Sequence, residues 1–167
     1  MTRSFAKRTA YCAAFVCVAM LLSYLEALLP ILPFPGFKPG LANLAVMVAY
    51  FWLGLPSAAA VSLCRIALSA LLFGSPVSLL FSICGGALSL CALLLHRLWL
   101  KHAIGAIGLG VISAALHCVG QTLAASILYG AALLFTYLPW LLILSIFTGA
   151  LSGVLLHTAL RKLPTNL

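Results

Sequence analysis

Residues 54–76 read GLPSAAAVSLCRIALSALLFGSP, and this stretch decides the fold. Between the breakers Gly54-Leu55-Pro56 and Gly74-Ser75-Pro76 lie 17 residues, Ser57 to Phe73, whose only ionisable groups are the Cys64 thiol and Arg65. A membrane-spanning helix needs roughly 20 apolar residues, with a range of about 17–25. The stretch therefore reads as a short crossing helix with a cation near its centre. At 1.5 Å rise per residue, Arg65 stands roughly 12 Å from either end. From that depth a guanidinium does not easily snorkel to water.

Working outward, the same punctuation delimits five more apolar segments. One precedes the proline-rich stretch PILPFPGFKPG (Pro30 to Gly40) and covers about Thr9 to Leu29. A short one covers about Leu41 to Leu53. After Pro76 come about Val77 to Leu95, Ile104 to Tyr129 and Leu134 to Leu160. The expected architecture is all-α: one integral membrane domain, residues 1–167, of six helices at about 9–29, 41–53, 57–73, 77–95, 104–129 and 134–160. The basic start followed by an apolar run is longer than a typical signal-peptide core, and no clear A-x-A site follows it. It reads as a retained helix.

Composition agrees. Of the 167 residues, 65% are hydrophobic and 6% charged, against about 25% charged in soluble domains. Nine side chains are Lys or Arg and one is acidic, Glu26. In a soluble protein such a surplus would point to nucleic acid. Here Arg3, Lys7, Arg8, Arg97, Lys101, Arg161 and Lys162 sit at the ends of apolar runs, as the positive-inside rule places them. Six crossings with both termini in the cytoplasm put those seven on one side and Lys38 on the other. The expected location is a bacterial-type plasma membrane, with lipid around the bundle.

The missing aspartate excludes chemistry. Sites for Mg²⁺ or Ca²⁺ built from several carboxylates cannot be assembled from one Glu. A Ser/His/Asp triad lacks its third member. No G-x-x-x-x-G-K-[ST] is present for ATP. Six cysteines (Cys12, Cys17, Cys64, Cys84, Cys91, Cys118) have no C-x-x-C spacing and read as small packing residues. No metal, no cofactor and no catalysis by this chain alone are expected.

Polar groups at bilayer depth are costly and are functional candidates by default. Arg65 needs an acceptor. Two readings stand: a structural bond to Glu26 or to backbone carbonyls, or a contact with an anionic or polar substrate group. His117 and Gln121, four apart, share a helix face with Ser113. They read either as interhelical packing bonds or as ligand contacts. Asn43 begins the second segment, where it suits a cap or a substrate contact. Glu26, Lys38, Asn43 and Gln121 fall toward the outside, with Arg65 and His117 near mid-depth, so the candidate pocket opens outward. Gly85-Gly86, and Gly149 with Gly153, permit close helix approach. Trp52, Trp99 and Trp140 fall near helix ends, as interfacial anchors do. Ala6, Ala10 and Ala14 recur every four residues as a small-residue stripe.

The ordered motifs PGFKPGLANLAVMVAYFWLG (35–54), SLCRIALSALLFGSP (62–76), GGALSL (85–90) and HCVGQTLAAS (117–126) resemble the Gx transporter family. That family also carries the label heptaprenyl diphosphate synthase component I. Through it the chain resembles the substrate-binding S components of energy-coupling-factor (ECF) transporters. The resemblance implies a subunit that captures a small molecule, such as a vitamin or its precursor, near the outer face. It implies docking through Ala6, Ala10 and Ala14 onto a transmembrane coupling subunit powered by two cytoplasmic ATPases. The inherited label meets a physical objection. Prenyl diphosphate synthases hold Mg²⁺-diphosphate through paired Asp-rich motifs, which a chain without Asp cannot supply. As the alternative, this chain is a non-catalytic membrane accessory subunit of polyprenyl diphosphate or quinone synthesis.

Overall fold

The computed structural model describes residues 2–28, 40–73, 76–101, 103–130 and 132–162. Among them the only regular structure is helix: α1 Thr2–Leu28, α2 Asn43–Leu53, α3 Leu55–Phe73, α4 Pro76–Leu95, α5 Ala106–Tyr129 and α6 Ala132–Lys162. The polar cluster after α4 is itself helical, a π-helical turn at His96–Leu100. Lys38 and the stretch 30–39 lie outside the described residues.

Among the described residues five helices are long and apolar enough to cross a membrane: α1, α3, α4 with its π-helical turn, α5 and α6. The chain is a multi-pass membrane protein. α2 differs. Its 11 residues reach only about 16 Å, roughly half of a 30 Å hydrocarbon core. The short second segment thus forms a helix of half-membrane length rather than a full span.

The punctuation seen in the sequence acts through backbone geometry. Gly54 turns the chain between α2 and α3 at φ 85°, a region where a side chain would be strained. Pro56 and Pro76 stand in the first turns of α3 and α4, where a missing N–H costs nothing. The N-terminal part of α1 is tied to the α2–α3 corner by Arg8, whose Nε donates to Ser57 Oγ and Nη2 to the Leu53 carbonyl, both at 2.9 Å. This places the start of α1, the end of α2 and the start of α3 at one end of the bundle. Chain alternation brings Arg97, Lys101, Arg161 and Lys162 to the same end.

Without water there is little hydrophobic drive between helices in lipid, so close packing and interhelical hydrogen bonds hold them. α5 and α6 meet through glycine. A Cβ on Gly149 would fall 2.6 Å from Val111 Cα, and one on Gly110 would fall 2.8 Å from Gly153 Cα. The backbones touch, as the Gly149/Gly153 spacing anticipates. Ser89 and Ser113 bond across α4 and α5 at 2.7 Å, which absorbs Ser113 into packing. An apolar core of Val46, Met47, Val61, Leu93, Leu109 and Leu156 lies toward the basic end. Trp99 and Trp140 are 81% and 72% exposed, as belt residues should be, whereas Trp52 packs edge-on against Tyr11 and Phe15.

Replacing Gly110 by Val is expected to destabilise the bundle by about 2 kcal/mol or more, because the atoms it meets are backbone and do not yield. Gly105→Ser, where a Cβ meets nothing within 4 Å, is expected to be neutral. Thermal unfolding of the two variants in mild detergent checks the difference.

Candidate functional site

α2 starts inside the protein. Counting ten residues back from Leu53 and ten forward from Leu55, Asn43 and Arg65 both stand roughly 15 Å from the shared corner, near mid-depth. They meet there: Arg65 Nη2 donates to Asn43 Oδ1 at 3.4 Å. Asn43 is not the cap of α2. The N-cap is Ala42, with no side-chain cap bond, and the Asn43 side chain serves Arg65 instead. A neutral amide thus takes a place that the sequence offers to Glu26.

Glu26 is close by all the same. Its Oε1 accepts the backbone N–H of Leu41, two residues ahead of α2, and its charge acts on Arg65. The first N–H groups of a helix lack internal partners and carry the positive end of its dipole. A carboxylate from α1 therefore sits where the start of α2 favours an anion. One acid thereby steadies both a helix start and a buried cation.

His117 and Gln121 form the other half of the site. Their ring and amide nitrogens are 3.0 Å apart, the i,i+4 relation expected from spacing. If the Gln121 amide donates to Nε2, the imidazole proton resides on Nδ1. The ring is held between two glycines. A Cβ on Gly40 would lie 3.3 Å from His117 Cδ2 and 3.3 Å from Asn43 Nδ2. One on Gly85 would lie 2.8 Å from His117 Nδ1 and 3.0 Å from Gln121 Cγ. Gly40 therefore joins the Asn43–Arg65 pair to the His117–Gln121 pair, and Gly85 fits α4 against them. Gly86 does the same on the other side, since its Cβ would lie 3.9 Å from Arg65 Nη2.

The structure thus brings five of the six sequence-derived site residues, Glu26, Asn43, Arg65, His117 and Gln121, into one buried polar region. Lys38 lies outside the described residues. Exposures run from 0% for Gln121 to 4% for Arg65. Several polar atoms there have no hydrogen-bond partner: Arg65 Nε, Asn43 Nδ2 and, on α1, Ser23 Oγ. Unsatisfied buried donors are rare, and each costs about 1–3 kcal/mol. Arg65 Nε and Asn43 Nδ2 belong to the bonded pair itself, and Ser23 lies one turn before Glu26 on α1. Ala6, Ala10 and Ala14 are exposed along α1. Sequence reasoning missed Gly40, Gly85 and Ser23. Only Gly85 had a visible signal, its Gly-Gly pair, and that was read as packing alone.

Among the described residues no three His, Cys, Asp or Glu side chains converge on a metal position. The arrangement groups a guanidinium, two side-chain amides, one carboxylate and an imidazole in one buried region.

Residues 15–159 match the family described as heptaprenyl diphosphate synthase component I. No curated protein and no solved structure matches significantly.

Asn43→Leu is expected to lower stability by about 1–3 kcal/mol, because it strips Arg65 of its acceptor at depth. Asn43→Asp, which keeps an acceptor and adds the opposite charge, is expected to retain it. Unfolding in mixed detergent–SDS micelles compares the two.

Proposed function

The chain belongs to the heptaprenyl diphosphate synthase component I family, and from that premise we propose that it is a non-catalytic, substrate-binding membrane subunit of the ECF S-component kind. In this reading it captures a small molecule, such as a vitamin or its precursor, at the outer face. ATP-driven uptake is then powered by a coupling subunit and two cytoplasmic ATPases. Six passages place both termini in the cytoplasm, with the half-length α2 contributing the inner part of the second. The grouping of Arg8, Arg97, Lys101, Arg161 and Lys162 at one end supports that orientation.

The observation that carries the reading is the start of α2 at mid-depth, next to Arg65 and Glu26 and ringed by unpartnered donors. Interrupted helices whose positive ends face a binding site near the bilayer centre are a recurrent device of membrane transporters. A purely structural bundle gains nothing from leaving Arg65 Nε unpaired. The exposed Ala6, Ala10 and Ala14 stripe is the surface on which the coupling subunit would dock.

The second reading rests on the family's own description. As a component I, the chain would be an accessory membrane subunit beside a separate polyprenyl diphosphate synthase, feeding or anchoring it. The absence of Asp keeps the chemistry in the partner under either reading.

Gentle purification followed by mass spectrometry of released small molecules separates the two. A stoichiometric polar metabolite, lost in Arg65→Gln, supports the uptake reading. Copurification of a soluble prenyl synthase with no bound metabolite overturns it in favour of the accessory reading. Ala10→Trp is further expected to abolish association with a coupling subunit while leaving ligand binding within about twofold. Uptake that survives Ala10→Trp removes the docking assignment.

A further inference from the structure

A cavity lies at the basic end, away from the polar site. It measures about 820 Å³ and opens between the α2–α3 corner, the π-helical turn, the start of α5 and the end of α6. Its polar lining is Tyr50, His96, Arg97, Lys101 and His157, and its apolar lining includes Phe51 and Leu160. Such a volume is in the range of small-molecule sites.

Three features define what fits. The first is charge. Arg97 and Lys101 face a cavity to which no carboxylate contributes, and the chain's one acidic side chain, Glu26, is engaged beyond the far end of α2. That separation is roughly 15 Å along α2. Among the described residues the two cations therefore have no anionic side chain to answer them, which leaves them free to meet an anion from outside.

The second is shape. α4 passes into i→i+5 hydrogen bonding at His96–Leu100, a rare geometry often found at functional sites. In that wider turn residues five apart come into register, so His96 and Lys101 share one edge beside Arg97. His96 is 5% exposed and fixed, with Tyr50 Oη 3.0 Å from its Nδ1. Phe51 packs edge-on against the same ring. The floor is built, while Arg97 and Lys101 remain exposed above it.

The third is depth. Leu98 and Trp99 on the same turn are 63% and 81% exposed. Tryptophan prefers the head-group level of a bilayer. The turn that carries Arg97 and Lys101 thus stands at head-group depth, and the cavity it lines has Phe51, Leu55, Ile104 and Leu160 as apolar wall.

We propose that this cavity is a phosphate-binding site for an anionic amphiphile. A phosphate or diphosphate group is held by Arg97 and Lys101 over the His96–Tyr50 floor, and the apolar tail lies along the Phe51 and Leu160 lining. Basic recesses between membrane helices bind anionic head groups in this way. A planar guanidinium beside an ammonium suits phosphate oxygens. The positive-inside bias explains charge at this end, but it does not require a recess.

The test uses the full chain in a neutral detergent. Native mass spectrometry reads retention of phosphatidic acid and phosphatidylglycerol against phosphatidylcholine, and calorimetry reads binding of inorganic diphosphate. The expected result is preference for the anionic lipids of about tenfold, lost in Arg97→Gln/Lys101→Gln. It should survive in the charge-preserving Arg97→Lys/Lys101→Arg. Lys7→Gln/Lys162→Gln removes the same charge from the same end outside the cavity lining and should leave retention within about twofold. Binding of diphosphate without lipid, lost in the same cavity variant, also supports the site and assigns it to a soluble anion. No preference in either arm overturns the proposal. So does equal loss in the cavity and control pairs, which would reduce the effect to general surface charge. Circular dichroism and thermal unfolding confirm that each variant is folded.

Discussion

A guanidinium at the centre of a membrane helix constrains everything around it. Arg65 can neither reach water nor lose its charge easily, so acceptors have to be brought to it. The protein supplies Asn43 by starting α2 halfway down α3, and it supplies the field of Glu26 from α1. Three helices are thereby committed to one point. The short α2 follows from this: had the helix begun a full span from Gly54, its first residues would pass Arg65 instead of ending on it. The cost of that choice is a helix start inside the bundle: the Gly40 and Leu41 carbonyls take the Asn43 and Leu44 N–H groups, and Glu26 takes the N–H of Leu41 just ahead of them.

The second constraint is closeness. Helices in lipid gain stability by contact, and contact is closest where side chains are missing. Gly110, Gly149 and Gly153 let α5 and α6 touch along their backbones, which fixes α5 and the His117–Gln121 pair it carries. Gly85 and Gly40 then close on the imidazole from two sides. The same residue type thus serves two purposes: at the α5–α6 crossing it sets the scaffold, and around His117 it shapes a polar recess. The two ends of the molecule end up chemically distinct. A polar region with a carboxylate lies at mid-depth and beyond, and a cationic recess without one lies at the basic end.

Much of this was legible in the sequence. The breakers Gly54-Leu55-Pro56 and Gly74-Ser75-Pro76 mark helix limits because their backbone preferences are local. The i,i+4 spacing of His117 and Gln121 forces proximity for the same reason. Arg65 announced itself by its position alone. What escaped were relations between segments. Charge counting offered Glu26 or backbone carbonyls to Arg65, yet the bond goes to Asn43, while Ala42 takes the cap position that Asn43 also suited. Gly40 carried no hint of its contact with His117, since the two are far apart in the chain. The π-helical turn falls just past the expected helix end at Leu95, because charge and histidine usually end a membrane helix.

The sequence by itself determined that this is a helical membrane protein, where its helices begin and end within about two residues save for α1, which starts at Thr2 instead of about Thr9, and that it lacks the carboxylates for metal-dependent phosphoryl or prenyl chemistry. These follow from composition and local periodicity, which act over one helix at a time. Only the tertiary structure decided that α2 stops at mid-depth, that Asn43 receives Arg65, and that Arg97 and Lys101 face a recess instead of open surface. Those outcomes depend on how helices cross. Crossing is set by the glycines and buried polar atoms of two chains of residues at once, and no single stretch encodes it.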